Sequence, residues 1–364
     1  MRERPHRPTI ALAGGGHANL FSLRRTAELT RRGFEVVLVD PSEHLHYSGM
    51  ATGVLSGAHA PHENRIDIRR LVERGGGRFV KGRVTQVLYR DRTLVLKDGR
   101  TVVYDAVSFC LGSEARAGGD AVPVKPVANL EDVRNRLLDQ GSGSLRVLVV
   151  GGGAAGCEVA ANVARLRRAA GGKGEIRLVE ALPDLLSASP KSARRIMAER
   201  LRTSGVGVTL GQKATLQPGA AVLEDGTRIE AGLILAATGV APPDVFLRSH
   251  LTTGDDGALW VNRHLQSPND ERIFGGGDAV SYRGFRLPQF GVFAVRQGPI
   301  LYHNLQAALR DEPLAPYKPQ RRYLYILDLG DATGLAIYGP LTLRGRFPLR
   351  LKHHIDKSFV KEFS

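Results

Sequence analysis

Short, unbroken apolar runs that end at glycine clusters punctuate the chain, and two of them open the same succession of patterns. Val147-Leu148-Val149-Val150 has no polar position, as expected of a strand covered on both faces in a parallel sheet. It runs into Gly151-Gly152-Gly153-Ala154-Ala155-Gly156, then an Ala-rich stretch with helical spacing, then the strand pattern Glu175 to Val179, which ends at Glu180. Near the start, Thr9 to Ala13 leads into Gly14-Gly15-Gly16-His17-Ala18-Asn19, a helical pattern that fades around Arg32, the strand Phe34 to Val39, and Asp40. Both stretches predict strand, glycine turn, helix and strand in that order.

Each glycine in the Gly151 cluster has a job. Gly151 permits the tight turn, Gly153 lets backbone approach a pyrophosphate, and Gly156 lets the helix pack closely on the strand, so that the helix N-terminus faces phosphate. An acid at Glu180 accepts hydrogen bonds from a ribose 2′-hydroxyl and repels a 2′-phosphate, which favours NAD over NADP. The first cluster is less regular, with Asn19 at the third glycine position, but Asp40 is placed as its ribose acid. The fold class is therefore α/β, with two Rossmann-like dinucleotide-binding domains.

Beyond Gly82, Arg83 to Tyr89, Thr93 to Leu96 and Thr101 to Val103 read as antiparallel strands around an Asp98-Gly99 turn. The stretch Leu94 to Ser113 recurs at Ala221 to Val240, its Asp-Gly turn equally far from the final glycine: 112 − 99 = 13 and 239 − 226 = 13. Two homologous halves explain this repeat. Linker-like segments Ala115 to Pro126 and Ala241 to Asp244 bracket the second half, which makes it an insertion in the first. The expected boundaries are 1–114 with 265–320 for the first domain, 115–264 for the second, and 321–364 for a small C-terminal α+β region in which Tyr323 to Leu327 and Gly334 to Tyr338 form a hairpin ahead of a helix.

Composition narrows the chemistry. Lys and Arg number 51 against 36 Asp and Glu, a net charge of +15 that suits an anionic partner such as a nucleotide or a phospholipid surface. No aromatic-studded basic module accompanies it, and no nucleic acid is expected. Cys110 and Cys157 are the only cysteines, which excludes a disulfide framework and a four-cysteine zinc site, and both read as small core residues. His44 and His46 have no third ligand at motif spacing, so no metal is expected. With no apolar leader and no run of 18 uncharged apolar residues, the chain reads as cytoplasmic without a membrane span.

The first fold resumes at Arg272-Ile-Phe-Gly-Gly-Gly277-Asp278-Ala279, and Pro288 to Gly298 opens a helix whose N-terminal amides can stabilise negative charge. Gly14 to Ala18, Asp40, Tyr47-Ser48-Gly49-Met50, Pro123-Val-Lys-Pro126, Gly151 to Glu158, Ala237-Thr238-Gly239, Gly277-Asp278 and Gly291-Val-Phe-Ala-Val-Arg-Gln-Gly298 resemble the FAD-dependent pyridine nucleotide oxidoreductases over essentially the whole chain. Within that family the chain is most similar to type II NADH:quinone oxidoreductases, and closer still to the flavoprotein module fused to selenide, water dikinase. The resemblance implies FAD on the N-terminal domain, held by Gly14, Gly16, His17, Ala18, Asp40, Ser48, Val84, Gly112, Gly277, the ribityl-binding Asp278, Gly291, Val292 and Phe293. It implies NAD(H) on the second, held by Gly151, Gly153, Ala154, Ala155, Gly156, Glu180 and Gly239, with Glu158 beside the nicotinamide as the catalytic candidate.

There are departures. Type II enzymes carry an Ala-Gln pair and a later Gln at the quinone pocket, where this chain has Gly291-Val292 and Arg296-Gln297. Sulfide:quinone oxidoreductases have a lysine where Gln289 stands, and their relay cysteines have no counterpart here. The expectation is an enzyme passing hydride from NADH through FAD to a quinone-like or other small acceptor, and the alternative is a redox-sensing flavoprotein with slow turnover. At the C-terminus, Leu351, Ile355, Phe359 and Phe363 recur every four residues with Val360 beside them, while Arg350, Lys352, His353, Lys357 and Lys361 take other faces. Such a basic amphipathic helix either lies on the inner face of a membrane as a peripheral contact or caps the core or a partner in a homodimer.

Overall fold

The computed structural model describes residues 7–115, 117–140 and 143–364. Most of the polar N-terminal segment and one residue of the first linker lie outside the described residues. The first five-stranded sheet has the order Ile273–Gly275, Ala106–Phe109, Thr9–Ala13, Glu35–Asp40, Arg78–Lys81, with all neighbours parallel. The second has the order Val122–Pro123, Leu233–Ala236, Val147–Val150, Ile176–Val179, Val206–Thr209, again all parallel. In each sheet the strand that precedes the glycine turn is central. Its apolar run is buried on both sides, as the uninterrupted pattern demands.

The repeat is structural as well. Val84–Leu88, Thr93–Leu96 and Thr101–Val103 form one antiparallel meander, and Ala214–Gln217, Ala220–Leu223 and Arg228–Glu230 form its counterpart. Gly99 and Gly226 take φ of +85° and +84° at the two Asp-Gly turns. The two expected linkers are more ordered than linkers: Glu114–Ala115 pairs antiparallel with Val240–Ala241, so the two crossings between the halves lie side by side.

Three features differ from expectation. Val245, Phe246, Leu251, Leu259 and Val261 pack in the first core, so the chain re-enters that core well before residue 265. Their apolar side chains fit beside Phe109 and Phe274, and the Phe109 and Phe246 rings meet edge to face at 5.4 Å. The N-terminal helical pattern is two helices, His17–Arg24 and Thr26–Arg31. The C-terminal unit is a three-stranded sheet, Leu324–Asp328, Gly334–Tyr338 and Leu341–Gly345, followed by the helix Arg346–Glu362. One face of that sheet, Leu327, Leu335 and Ile337, joins the second core, where Ala51 and Leu55 of the first half also pack.

The C-terminal helix turns most of its apolar stripe inward. Val360 and Phe363 are buried in the first core, and Phe359 packs against it; of the predicted stripe only Ile355 is exposed.

Asn19 explains why its position is not glycine. Fully buried, it donates from Nδ2 to the carbonyls of Gly14 (2.8 Å) and Ser108 (3.1 Å), and its Oδ1 accepts from Ser108 Oγ (2.7 Å). It ties the glycine turn and its helix to the neighbouring strand. Asn19→Ala leaves those buried groups without partners, and we expect about 2 kcal/mol or more of lost stability, read as a lower urea midpoint; an unchanged midpoint would contradict this role.

Candidate active site

The two glycine turns are built alike. Gly14 (φ +88°) and Gly151 (φ +111°) each press against a carbonyl of the adjacent strand end, where a Cβ would stand 2.3 Å from the oxygen of Cys110 or Ala237. Each turn is latched by its acid. Asp40 accepts from the amides of Gly15 (2.7 Å) and Ser42 (2.8 Å), while Glu180 accepts from the amides of Gly152 and Leu182, the latter at 2.8 Å. Burial raises the Asp40 pKa, against the opposing pull of those two amides and of Arg83.

Helices then begin at His17 and Ala154, each capped by a glycine in extended conformation, Gly16 or Gly153. A Cβ on Gly153 would meet nothing within 4 Å, so the face toward a ligand is open there, whereas one on Gly156 would stand 1.9 Å from the Gly151 carbonyl. Ala18 and Ala155 lie in the first turns of these two helices. Gly112 and Gly239 match across the halves, with φ of +71° and +98° and open space beside both. Val84 lies two residues beyond Gly82, whose amide donates to the Asp40 carbonyl at 3.0 Å.

Around the first turn the structure assembles more than the sequence motifs disclosed. Asp278 Oδ2 accepts from Lys125 Nζ (2.6 Å) and Ser113 Oγ (3.1 Å). Burial works to raise the Asp278 pKa, but Lys125 and the hydroxyl of Ser113 outweigh it and hold the carboxyl below its ordinary range. Gln297, buried at 1% exposure, accepts from the Gly277 amide at 2.7 Å and fixes the turn that presents Asp278. Lys125 sits in the Pro-Val-Lys-Pro segment and Gln297 in the Arg-Gln pair, so both were visible as motif members but not as partners of Asp278.

His17 is half-buried, with its ring nitrogen Nε2 out of reach of solvent. Burial pushes its pKa down to about 4, with Asp278 opposing and Lys125 adding to the shift, so the imidazole is neutral. Its Nε2 is buried without a partner among the described residues. Tyr47 and Phe359 cover the ring at centroid distances of 5.6 and 5.7 Å and stack on each other at 4.8 Å. The orphaned nitrogen beside an open helix N-terminus fits a ligand that brings phosphate or hydroxyl oxygens. Gly291, at the start of the Gly291–Leu309 helix, is so close that its Cβ would lie 3.6 Å from His17 Cδ2. Val292 is partly buried, and Phe293 is buried against Tyr323 at 5.0 Å.

Glu158 lies where three units meet. On the Ala154–Ala169 helix of the second half, it accepts at Oε1 from Thr52 Oγ1 of the first half (3.0 Å) and from the Asp328 amide of the C-terminal sheet (2.8 Å). Burial raises its pKa to about 7, moderated by the nearby Lys352 ammonium and by the Asp328 amide. Lys352, on the last helix, donates to the Gly49 carbonyl and to Asp356 Oδ2 (2.8 Å), and Tyr47 donates to Asp356 Oδ1 (3.0 Å). Ser48, exposed, immediately precedes Gly49 in a short 3-10 turn. Despite burial, Glu158 and Asp356 raise the Lys352 pKa, so it stays charged. Lys352 and Asp356, four apart on a helix, had no motif to mark them. Cys110 and Cys157 are buried thiols pushed up to about 11 and about 12, burial being the main cause in both, and are inert.

Residues 8–298 match the family model for pyridine nucleotide-disulphide oxidoreductases. An alternative NAD(P)H-ubiquinone oxidoreductase C1 of Arabidopsis thaliana is 27% identical over 403 residues, covering 92% of this chain and 75% of the relative. Demethylphylloquinone reductase NdbB of Synechocystis is 25% identical, covering 93% and 90%. In structure the chain is similar to NDH2 from Plasmodium falciparum in complex with NADH, with a TM-score of 0.82 at 14% identity over 98% of both chains. The two latched glycine turns, the Gly277-Asp278 return of the first fold and the match across most of the sequence place this chain in the pyridine nucleotide-disulphide oxidoreductase family.

Proposed function

We propose that the chain oxidises NADH and reduces a quinone, with FAD at the first glycine turn, NAD(H) at the second, and Glu158 handling the proton. The observation that carries this reading is Glu158, a half-buried acid whose pKa is raised to about 7 and which is held between the first half, the second half and the C-terminal unit by Thr52 and the Asp328 amide. The relatives named for ubiquinone and demethylphylloquinone support a quinone acceptor. FAD, when bound, supplies hydride acceptance and onward electron delivery. Gly14, Gly16 and Ala18 line its pyrophosphate, Asp40 takes the adenosine ribose, and His17 offers its free nitrogen. Lys125 and Asp278, an ion pair, would present a donor and an acceptor of hydrogen bonds to the ribityl chain.

On the second turn, the open face at Gly153 would admit the NADH pyrophosphate, Gly151 and Gly156 let the backbone close behind it, and Glu180 would select the 2′-hydroxyl. Replacing Glu180 with Ala removes the charge that repels a 2′-phosphate, and the ratio of flavin reduction rates with NADH and NADPH should narrow. A wild-type preference for NADPH in stopped-flow reduction would count against this assignment.

Reducing a quinone to a quinol consumes two protons, and Glu158 holds one at Oε in an environment where acid and base forms are balanced near neutrality. Lys352 stays cationic beside it and compensates the charge left when the proton departs. Since the Glu158 pKa is raised, its acid form is full well below about 7 and is lost as pH rises through that value. Quinone-driven flavin reoxidation should therefore slow over the same window. Glu158→Gln should flatten that profile and slow reoxidation by about a hundredfold, while a profile that persists unchanged in the variant would rule out Glu158 as the proton donor.

Membrane contact, where the quinone pool lies, is supported by another surface than the inward-turned helix stripe. Leu324, Tyr338 and Leu341 are direct neighbours across the C-terminal sheet and are exposed together, with Leu343 beside them and Phe347 at the start of the helix. Leu341 and Phe347 are 68% and 67% exposed, and Arg322, Arg346 and Arg350 are exposed in the adjoining segments. Such a patch suits an anionic bilayer. Among the described residues, no helix is long and apolar enough to cross a membrane, so the contact is peripheral. Leu341→Ser with Phe347→Ser should release the protein from anionic vesicles in co-sedimentation without slowing flavin reduction by NADH; undiminished binding would discard the patch.

A further inference from the structure

On the opposite side of the last helix from its buried stripe, a cavity of about 390 Å³ opens between that helix and the loop after the Ala51–Ser56 helix. His59, His353, His354, Lys357, Ser358 and Lys361 line it. No acid is among them. We propose that this cavity is a binding site for a phosphate-bearing anion, a phospholipid headgroup or a free phosphate compound, distinct from both dinucleotide turns.

Two buried imidazole nitrogens are the main argument. His59 is 5% exposed, and its Nδ1 has no hydrogen-bond partner. The nearest acid, Glu63, is 3.7 Å away, with one carboxylate oxygen taken by the Ala60 amide (2.7 Å) and the other by Lys357 (3.0 Å). His353 Nε2 is also buried without a partner, and the two rings meet edge to face at 4.7 Å. The position of His59 is built rather than incidental, because it lies over Gly53, where a Cβ would stand 2.4 Å from Cδ2. Buried nitrogens left unpaired call for a partner, and these two belong to side chains that line the cavity.

Charge and donor count select the ligand class. Lys361 makes no ion pair among the described residues, and Lys357 has only Glu63, so the wall carries excess positive charge before any histidine is protonated. Two ammonium groups, the Ser358 hydroxyl and the imidazoles exceed what a two-oxygen carboxylate can accept, and they suit a tetrahedral anion. The cavity is larger than one phosphate, which leaves room for an ester substituent.

Binding is coupled to protonation. His59 faces His353, Glu63, Lys357 and Asp356, and His353 faces Asp328, Lys352, Asp356, Lys357 and His59. Burial, the leading cause for both, lowers their pKa values and leaves them neutral in the empty cavity. An anion reverses that balance, so affinity rises as pH falls.

The test is calorimetric titration of the FAD- and NAD-loaded protein, so that both glycine turns are filled. Inorganic sulfate serves as a tetrahedral dianion that does not itself titrate, and inorganic phosphate as the second probe. Sulfate should bind several-fold more tightly at about pH 6 than at about pH 8. Lys361→Gln, a surface change, should weaken both probes by roughly threefold to tenfold, and His59→Gln together with His353→Gln should abolish the pH dependence. Vesicles of phosphatidylcholine with phosphatidic acid separate the sources. If Lys361→Gln weakens vesicle binding as well, the ligand is a headgroup; if it weakens only the soluble anions, the ligand is a free phosphate compound. Sulfate and phosphate titrations that are absent, or that Lys361→Gln leaves unchanged, overturn the proposal.

Discussion

Everything at the two dinucleotide turns depends on a backbone pressed against a carbonyl. At Gly14 and Gly151 the α-carbon comes so near the Cys110 or Ala237 oxygen that any side chain would collide with it, and the left-handed φ admits glycine most readily. That contact brings the end of Thr9–Ala13 against the end of Ala106–Phe109, and the end of Val147–Val150 against the end of Leu233–Ala236, which fixes where each following helix starts. Asp40 and Glu180 then hold the turns through the Gly15 and Gly152 amides. The acid that we propose meets a ribose is thus also the latch of its glycine turn. On that reading one carboxylate in each half serves both the sugar and the turn proposed for the pyrophosphate.

Between these turns the chain concentrates buried charge that neither half could hold alone. Thr52 comes from the first half, Glu158 from the second, and Lys352, Asp356 and the Asp328 amide from the C-terminal unit. A carboxyl and an ammonium with so little contact with water are tolerated because each is compensated by hydrogen bonds from a different unit. The acid stays near neutrality because that compensation is partial.

Much of this was legible in the sequence wherever one local rule decided the outcome. Both central strands, both glycine turns and the Asp-Gly hairpins follow from apolar runs, positive-φ demands and motif spacing, as does the place of Asp40 and Glu180 just past the second strand pattern of each half. Asn19 broke the glycine rule and was readable only as a departure. Its reason lies in Ser108, far along the chain, which no local pattern connects to it. The same limit hid Lys125 from Asp278 and Lys352 from Glu158. The four-residue stripe on the last helix correctly marked an apolar face but said nothing of what covers it. Tyr47, His17 and the first core do so, and the exposed apolar patch falls instead on a strand, Leu341–Gly345, that the sequence pattern had not separated from its neighbours.

Phe359 lies far beyond Tyr47 along the chain, yet it stacks on Tyr47 and covers His17 beside the first glycine turn. Synthesis proceeds from the N-terminus and domains fold as units while the rest emerges. The opening stretch therefore meets its sheet partners well before the aromatic ring that covers His17 has been made. Until the helix Arg346–Glu362 emerges, the nascent first half stays accessible on that side.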